Sequence, residues 1–293
     1  MDILKKGFLL LASGLIAHGV ALGQETARDT VQDKPERAAF ESSHIIDNPT
    51  NVLYPKNTLE IVFSHRFGLI NAEGSNNNDL IGIWGPANIR VGASYAIHDR
   101  LTIGYGTTKV DRLQDFSWKL GLIQQTRSGR IPVSVSYYGN FTIDARNKGR
   151  GLFPTRQSRY SFFNQLIVAR RFNRNLSLQV GGSVSHYNLV PQRMRNDVIA
   201  LSAGGRYKIS PQTAILLDYT QPFVHHLNGV DLDMDPEPGF SLGVEFGTSG
   251  HAFQLFISNY YGIVPQKNVM FNQNDFFKGE YLIGFNITRK YNF

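Results

Sequence analysis

The sequence contains no cysteine. That absence excludes disulfide staples, a thiolate nucleophile, a thiolate metal site and a lipoprotein acylated on a cysteine at its cleavage site. Past residue 23 it also lacks any apolar run near the roughly 18 residues that a membrane-spanning helix requires, so a helical membrane protein is excluded. Clusters of like charge are missing as well. The formal net charge of +7 is carried by basic residues scattered singly, which gives no footprint for nucleic acid.

What is present begins with "MDILKKGFLLLASGLIAHGVALGQ". Lys5 and Lys6 precede an apolar stretch from Gly7 to about Val20, and the small residues Ala21 and Gly23 follow, the pattern of a secretory signal peptide over residues 1–23. Cleavage near Gln24 removes Lys5, Lys6 and Asp2 and lowers the net charge from +7 to +6. The next segment, 24–56, is expected in the periplasm. Its first part, 24–41, is polar and highly charged and should be partly mobile. Its second part carries Ile45, Ile46, Val52, Leu53 and Tyr54, and it lies loosely on the rim of the following domain, closes its periplasmic mouth or enters its lumen.

From residue 57 to 293 the chain alternates with period two, in segments rich in Tyr, Phe, Val, Ile, Thr and Ser. In "TLEIVFSHRF" (58–67), Leu59, Ile61, Phe63, His65 and Phe67 share one face, and Thr58, Glu60, Val62, Ser64 and Arg66 the other. Similar segments recur at 88–97, 101–110, 116–124, 131–140, 159–170, 176–187, 197–208, 213–220, 240–247, 252–260 and 280–293, which makes twelve. Segments of about 9 to 11 residues suit tilted strands across a bilayer, and lipid tolerates such strands only when they close on themselves. Links after the even-numbered strands are short ("HDR", "TRSGR", "FNRN", "ISPQ", "TSGH"), whereas most of the others are long. Short periplasmic turns alternating with long external loops complete the expectation: an all-β protein, a closed antiparallel transmembrane β-barrel of about twelve strands in meander order, in the outer membrane. A soluble β-sandwich would have shorter strands.

The stretches "HRFG" (65–68), "ANIRVGASYAIHDRLTIGYG" (87–106) and "GTSGHAFQLFISN" (247–259) resemble an uncharacterised outer-membrane β-barrel family of Bacteroidota-type bacteria. The likeness runs from about Phe40 to Phe293, with "AFESSHIIDNPT" (39–50) similar to that family's pre-barrel segment. It implies a barrel and no particular activity.

The inward face carries Glu60, Arg66, Arg90, Lys119, Arg206, Asp218 and Glu245, with Lys290 near the end of the last strand. Many small residues, among them Gly92, Gly104, Gly106, Gly121 and Gly204, leave space beside them. The leading expectation is that these charges line a narrow, weakly anion-favouring passage for small hydrophilic solutes; the alternative is that they pair with each other in a closed barrel. The closed barrel would serve as an envelope scaffold or a subunit of a larger complex, with a protein partner. Tyr291 and Phe293, aromatic residues closing the last strand, fit a signal for the barrel assembly machinery. Membrane lipid is the other expected partner.

No cofactor, metal site or enzymatic activity is expected. The loop His225 to Glu237 places Asp231, Asp233 and Asp235 at alternate positions but lacks the glycine and terminal glutamate of a calcium loop. No histidine is followed two residues later by serine, which removes an outer-membrane phospholipase pattern, and "GYG" (104–106) lies within a strand instead of opening a helix.

Overall fold

The structure is a computed structural model that describes residues 33–70, 80–147, 151–224 and 234–293. The proposed signal peptide and residues 225 to 233 of the acidic loop lie outside the described residues. A short hairpin comes first, β1 (His44–Ile45) and β2 (Asn48–Pro49). Twelve strands follow, and they close into one antiparallel barrel. They are β3 (Thr58–Arg66), β4 (Asn88–His98), β5 (Leu101–Thr108), β6 (Leu113–Ile123), β7 (Ser134–Asp144), β8 (Tyr160–Arg171), β9 (Leu176–Tyr187), β10 (Asp197–Lys208), β11 (Thr213–Phe223), β12 (Gly239–Gly247), β13 (His251–Ser258) and β14 (Leu282–Asn292). Each strand pairs with its neighbours in sequence, and β14 pairs with β3 from Asn292↔Thr58 to Gly284↔Arg66 to close the seam.

Period-two alternation puts each strand's two faces in different surroundings. Outward side chains are apolar and uncovered: Val180, Ile199 and Leu201 each keep 57% of their surface exposed, which suits a wall against lipid and not a soluble core. Among the described residues no helix is long and apolar enough to cross a membrane. Gly139 lies under the Trp118 ring, where a Cβ would meet the indole at 2.2 Å. Arg289, which interrupts the apolar face of β14, stacks its guanidinium 4.8 Å from the Tyr291 ring.

The two ends of the barrel differ. The links β4–β5, β6–β7, β8–β9, β10–β11 and β12–β13 lie at the short-turn end, together with the start of β3 and the end of β14. The long-loop end carries an α-helix, α1 (Pro265–Phe271), within the β13–β14 connection.

The segment before β3 does not rest on the rim. Residues 39 to 54, here called the strap, sit inside the barrel. The strap begins near the short-turn mouth, where the Glu36 N–H donates to the Gln125 carbonyl at 2.8 Å, and its hairpin penetrates the lumen. An expectation of loose packing on the rim is therefore corrected. Ala39, Phe40, Ile45, Ile46 and Val52 form one apolar cluster with Ala169, Leu216 and Phe256 of the wall, and the segment also satisfies inward charges. At the hairpin tip Ile46 takes φ +53°, a conformation costly for a β-branched residue. Its surroundings hold it there: Ile46 is buried and its carbonyl accepts the Asn286 side chain at 2.9 Å.

Candidate functional site: a filled lumen

Inward positions on this barrel include many polar and charged groups, so anything that fills the lumen must supply hydrogen-bond partners as well as apolar contacts. The strap does so residue by residue. Asp218 on β11 accepts the backbone N–H groups of Asp47 and Asn48 at 3.0 and 2.9 Å and the Asn48 amide at 2.7 Å. Arg66 on β3 donates to Asp47 at 3.0 Å and to Asn286 at 3.0 Å, with its guanidinium 4.4 Å from the Phe256 ring. The second oxygen of Asp47 accepts from Ser241 at 2.7 Å and Ser258 at 2.9 Å. Asp47 is thus a buried carboxylate with a cation and two hydroxyls around it, the arrangement that a charge needs in a low-dielectric interior.

The other charged positions behave alike. Lys119 donates to the carbonyls of Ser43 and Val52 at 3.1 and 3.2 Å. Glu60 accepts from the Tyr54 hydroxyl at 2.7 Å and from the Ser43 N–H at 3.2 Å. Arg206 joins Glu245 at 2.7 Å and Glu41 of the strap at 3.3 Å, and Glu245 also accepts from Gln254 at 3.1 Å. Lys290, nearer the mouth, lies 5.6 Å from the Tyr54 ring. Arg90 meets Asp115 of β6 in a two-bonded pair at 2.9 and 2.7 Å. To get there its guanidinium crosses Gly92 and Gly106, where a Cβ would approach it to 2.7 and 2.3 Å. Five of the seven residues singled out from the sequence as lining a passage therefore bind the strap, while Arg90 and Glu245 bind other wall residues.

The small inward residues leave room, and the chain itself occupies it. A Cβ on Gly204 would meet Ile45 at 3.2 Å, and one on Gly121 would meet Leu53 at 2.5 Å. The space that remains includes a cavity of about 120 Å3 at the short-turn mouth, beside Glu36, Asn51 and Arg100. Two voids deeper in the lumen hold about 20 Å3 each, room for about one water molecule.

The helix α1 fills the lumen from the long-loop end. Pro265 starts it, and Val269 and Met270 pack on Tyr138, Phe163, Ile167, Val198 and Ala200 of β7, β8 and β10. Gln266, fully buried, donates to Asn140 at 2.9 Å and Thr142 at 2.8 Å. Sequence reading missed Asp47, Asn48, Asp115 and Gln266. Asp115 stands on the inward parity of β6 with Ser117 and Lys119, a signal that was available; the others lie outside any alternating segment.

Tyr291 and Phe293 stand at the short-turn end, where the Phe293 N–H donates to Asn57 at 3.2 Å and the Phe293 ring is exposed. Of the acidic loop, Glu237 is described, and its backbone N–H donates to the Asn272 carbonyl at 2.8 Å. Among the described residues no three His, Asp or Glu side chains converge as a metal site would require.

Solved structures of similar shape include a NanC porin (TM-score 0.49, 6% identity, covering 80% of this chain and 100% of that one). A KdgM porin gives TM-score 0.46 and 6% identity, covering 80% of this chain and 99% of that one. LpxR from Salmonella typhimurium gives TM-score 0.38 and 10% identity, with 80% and 100% covered. Likenesses this distant carry no argument about what the present chain does. No curated protein matches the sequence. Residues 40–291 match the model of a family described as a membrane bound beta barrel domain (DUF5777), a span that takes in the strap from Phe40 and all twelve barrel strands, and the chain belongs to that family.

Proposed function

We propose that this chain is an outer-membrane β-barrel held closed by its own strap, and that it serves the envelope as a scaffold or as a subunit of a larger complex. The single observation that carries this reading is the engagement of Glu60, Arg66, Lys119, Arg206 and Asp218 by residues 41 to 54 of the same chain. Groups bound in this way do not face a bore. The alternation of short turns and long loops supports an orientation with the strap entering from the periplasm and α1 facing outward. Residues 1–23 are then the export signal, 24–56 the periplasmic segment whose residues 39 to 54 form the strap, and Tyr291 and Phe293 the mark read by the assembly machinery. Contacts with a protein partner fall to the long-loop end, where Ile81, Trp84 and Phe277 stand exposed. The strap, being buried, is not available for them.

A second reading has its own support. The wall under the strap is built from small and hydrophilic residues, such as Ser64, Ser94, Ser117, Ser202 and Gly204, which would stay wetted if the strap left. On this reading the barrel is a gated, narrow passage for small hydrophilic solutes, leaning toward anions because Arg66, Lys119 and Arg206 would be uncovered.

Planar-bilayer conductance of the mature protein, with and without residues 24–56, tests the closed state. The expected result is silence from the intact protein and steady openings from the truncated one. Steady openings from the intact protein would overturn the closed reading. A cysteine pair at Asn48 and Thr220, whose side chains lie 2.7 Å apart, then separates the two readings in a chain with no cysteine of its own. The pinned barrel should still support its role if it is a scaffold and lose it if it is a gate.

A further inference from the structure

Above α1, at the long-loop end, a cavity of about 360 Å3 opens between the loops that follow β5, β7 and β9. Ligand pockets commonly hold about 300 to 1,000 Å3, so its size is that of a small-molecule site. Its chemistry is divided. Leu189, Val190 and Pro191 make one apolar side, and Phe153 and Phe271 add aromatic faces. Against these stand three cations. The Arg159 guanidinium lies 4.3 Å from the Phe153 ring, Arg146 lies 5.7 Å from the same ring, and Lys267 of α1 lies 4.3 Å from the Phe271 ring.

The cations are not equally engaged. Arg146 pairs with Asp144 at 2.6 Å and Asp111 at 2.9 Å, and hydrogen bonding to Asp144 holds its guanidinium above the ordinary range. Lys267 shares Asp111 at 3.0 Å. Arg159 instead donates to the main-chain carbonyls of Asp144 and Arg146, both at 2.6 Å, and no carboxylate among the described residues pairs with it. Three cations against two carboxylates leave one positive charge in excess, located on a guanidinium that is fixed in place over an aromatic face. Tyr187 also borders this cavity.

We propose that this cup binds a small amphipathic monoanion, an apolar or aromatic body carrying one carboxylate. The carboxylate meets Arg159, and the body lies between Phe153, Phe271 and Val190. Two donors of Arg159 already fixed by carbonyls orient the fork before the ligand arrives, which reduces the ordering cost of binding. Since the cup lies above α1, the site exists whether the barrel below it is a scaffold or a gate.

The test measures binding of 2-naphthoate, 2-naphthalenemethanol and 2-naphthylmethylamine to the mature protein in nanodiscs by calorimetry. The anion should bind saturably and roughly tenfold more tightly than the neutral alcohol, the weight of one charge-assisted hydrogen bond. Arg159→Gln should abolish that preference while leaving the alcohol unaffected, and Arg159→Lys should retain part of it. Val190→Trp, in the loop after β9 and outside the strand ladder, should block both ligands by filling the cavity, with an unchanged heat-modifiable band showing that the barrel still folds. Equal binding of the three probes, no saturable binding of any, or naphthoate binding indifferent to Arg159→Gln and Val190→Trp would each overturn the proposal.

Discussion

Asp218 on β11 holds Asn48 of the strap by both its backbone and its side chain, at 2.9 and 2.7 Å, across a sequence separation of 170 residues. Replacing it by alanine removes these bonds together with the one from the Asp47 N–H. Each hydrogen bond to a charged group contributes about 1.5–3 kcal/mol, and the freed donors would lie buried without partners. Asp218→Ala should therefore loosen the strap in an intact barrel. Limited proteolysis of the folded protein is expected to cut between residues 34 and 57 in the variant and spare the parent; equal protection of both would show that Asp218 does not hold the strap.

Arg90 and Asp115 meet only because β5 offers no side chain at Gly106. Gly106→Val should push the guanidinium off its partner and leave a buried charge unpaired, a loss of about 3–5 kcal/mol. Urea unfolding in lipid vesicles, followed through Trp118 on the neighbouring β6, measures it. The double variant Arg90→Met with Asp115→Leu should recover most of that loss, since an apolar pair of similar volume is often neutral.

Met270 is fully buried where α1 meets the wall. Met270→Ala should cost about 2–5 kcal/mol, and Met270→Asp considerably more. The expected outcome is local. Residues 259–281 of Met270→Asp should become sensitive to protease added at the long-loop side, while the strap remains protected. Simultaneous cleavage of both segments would mean that the two fillings act as one unit.

Loss of Phe293 should lower the yield of assembled barrel in cells, with little effect on refolding in detergent, because the ring is exposed and its backbone bond to Asn57 lies outside the strand ladder. The ratio of heat-modifiable to unfolded protein in membranes reads this directly. Normal insertion of the shortened chain would count against a role for this residue in assembly.

Alternation made the wall legible because each strand has lipid on one side and polar contents on the other. β9 and β10 agree with the sequence reading to the residue. β6 begins earlier than expected, at Leu113, since Asp115 resembles a loop acid until its partner on β4 is known. β7 begins later, at Ser134, past Pro132, which has no N–H for the ladder. The contents of the barrel were far less legible. "HIIDNP" is too short to alternate, and the strap hairpin exists only because Asp218, Arg66 and Asn286 receive it. The seven residues of α1 are too few to display a helical period. Which charge meets which depends on strand register and on a segment folded in from outside the sheet, and neither is written in local spacing.

The strap touches strands from every side of the circumference: Gln179 of β9 through Pro49, Lys119 of β6 through Ser43, Gln254 of β13 through His44, and Asp218 of β11 through Asn48. A sheet can curl into cylinders of many cross-sections, round or flattened, and hydrogen bonds along its edges do not choose among them. Ties across the interior do. Strand number and stagger set the circumference, and the hairpin, bonded to strands on opposite sides, acts as a crosspiece that keeps the cylinder from flattening.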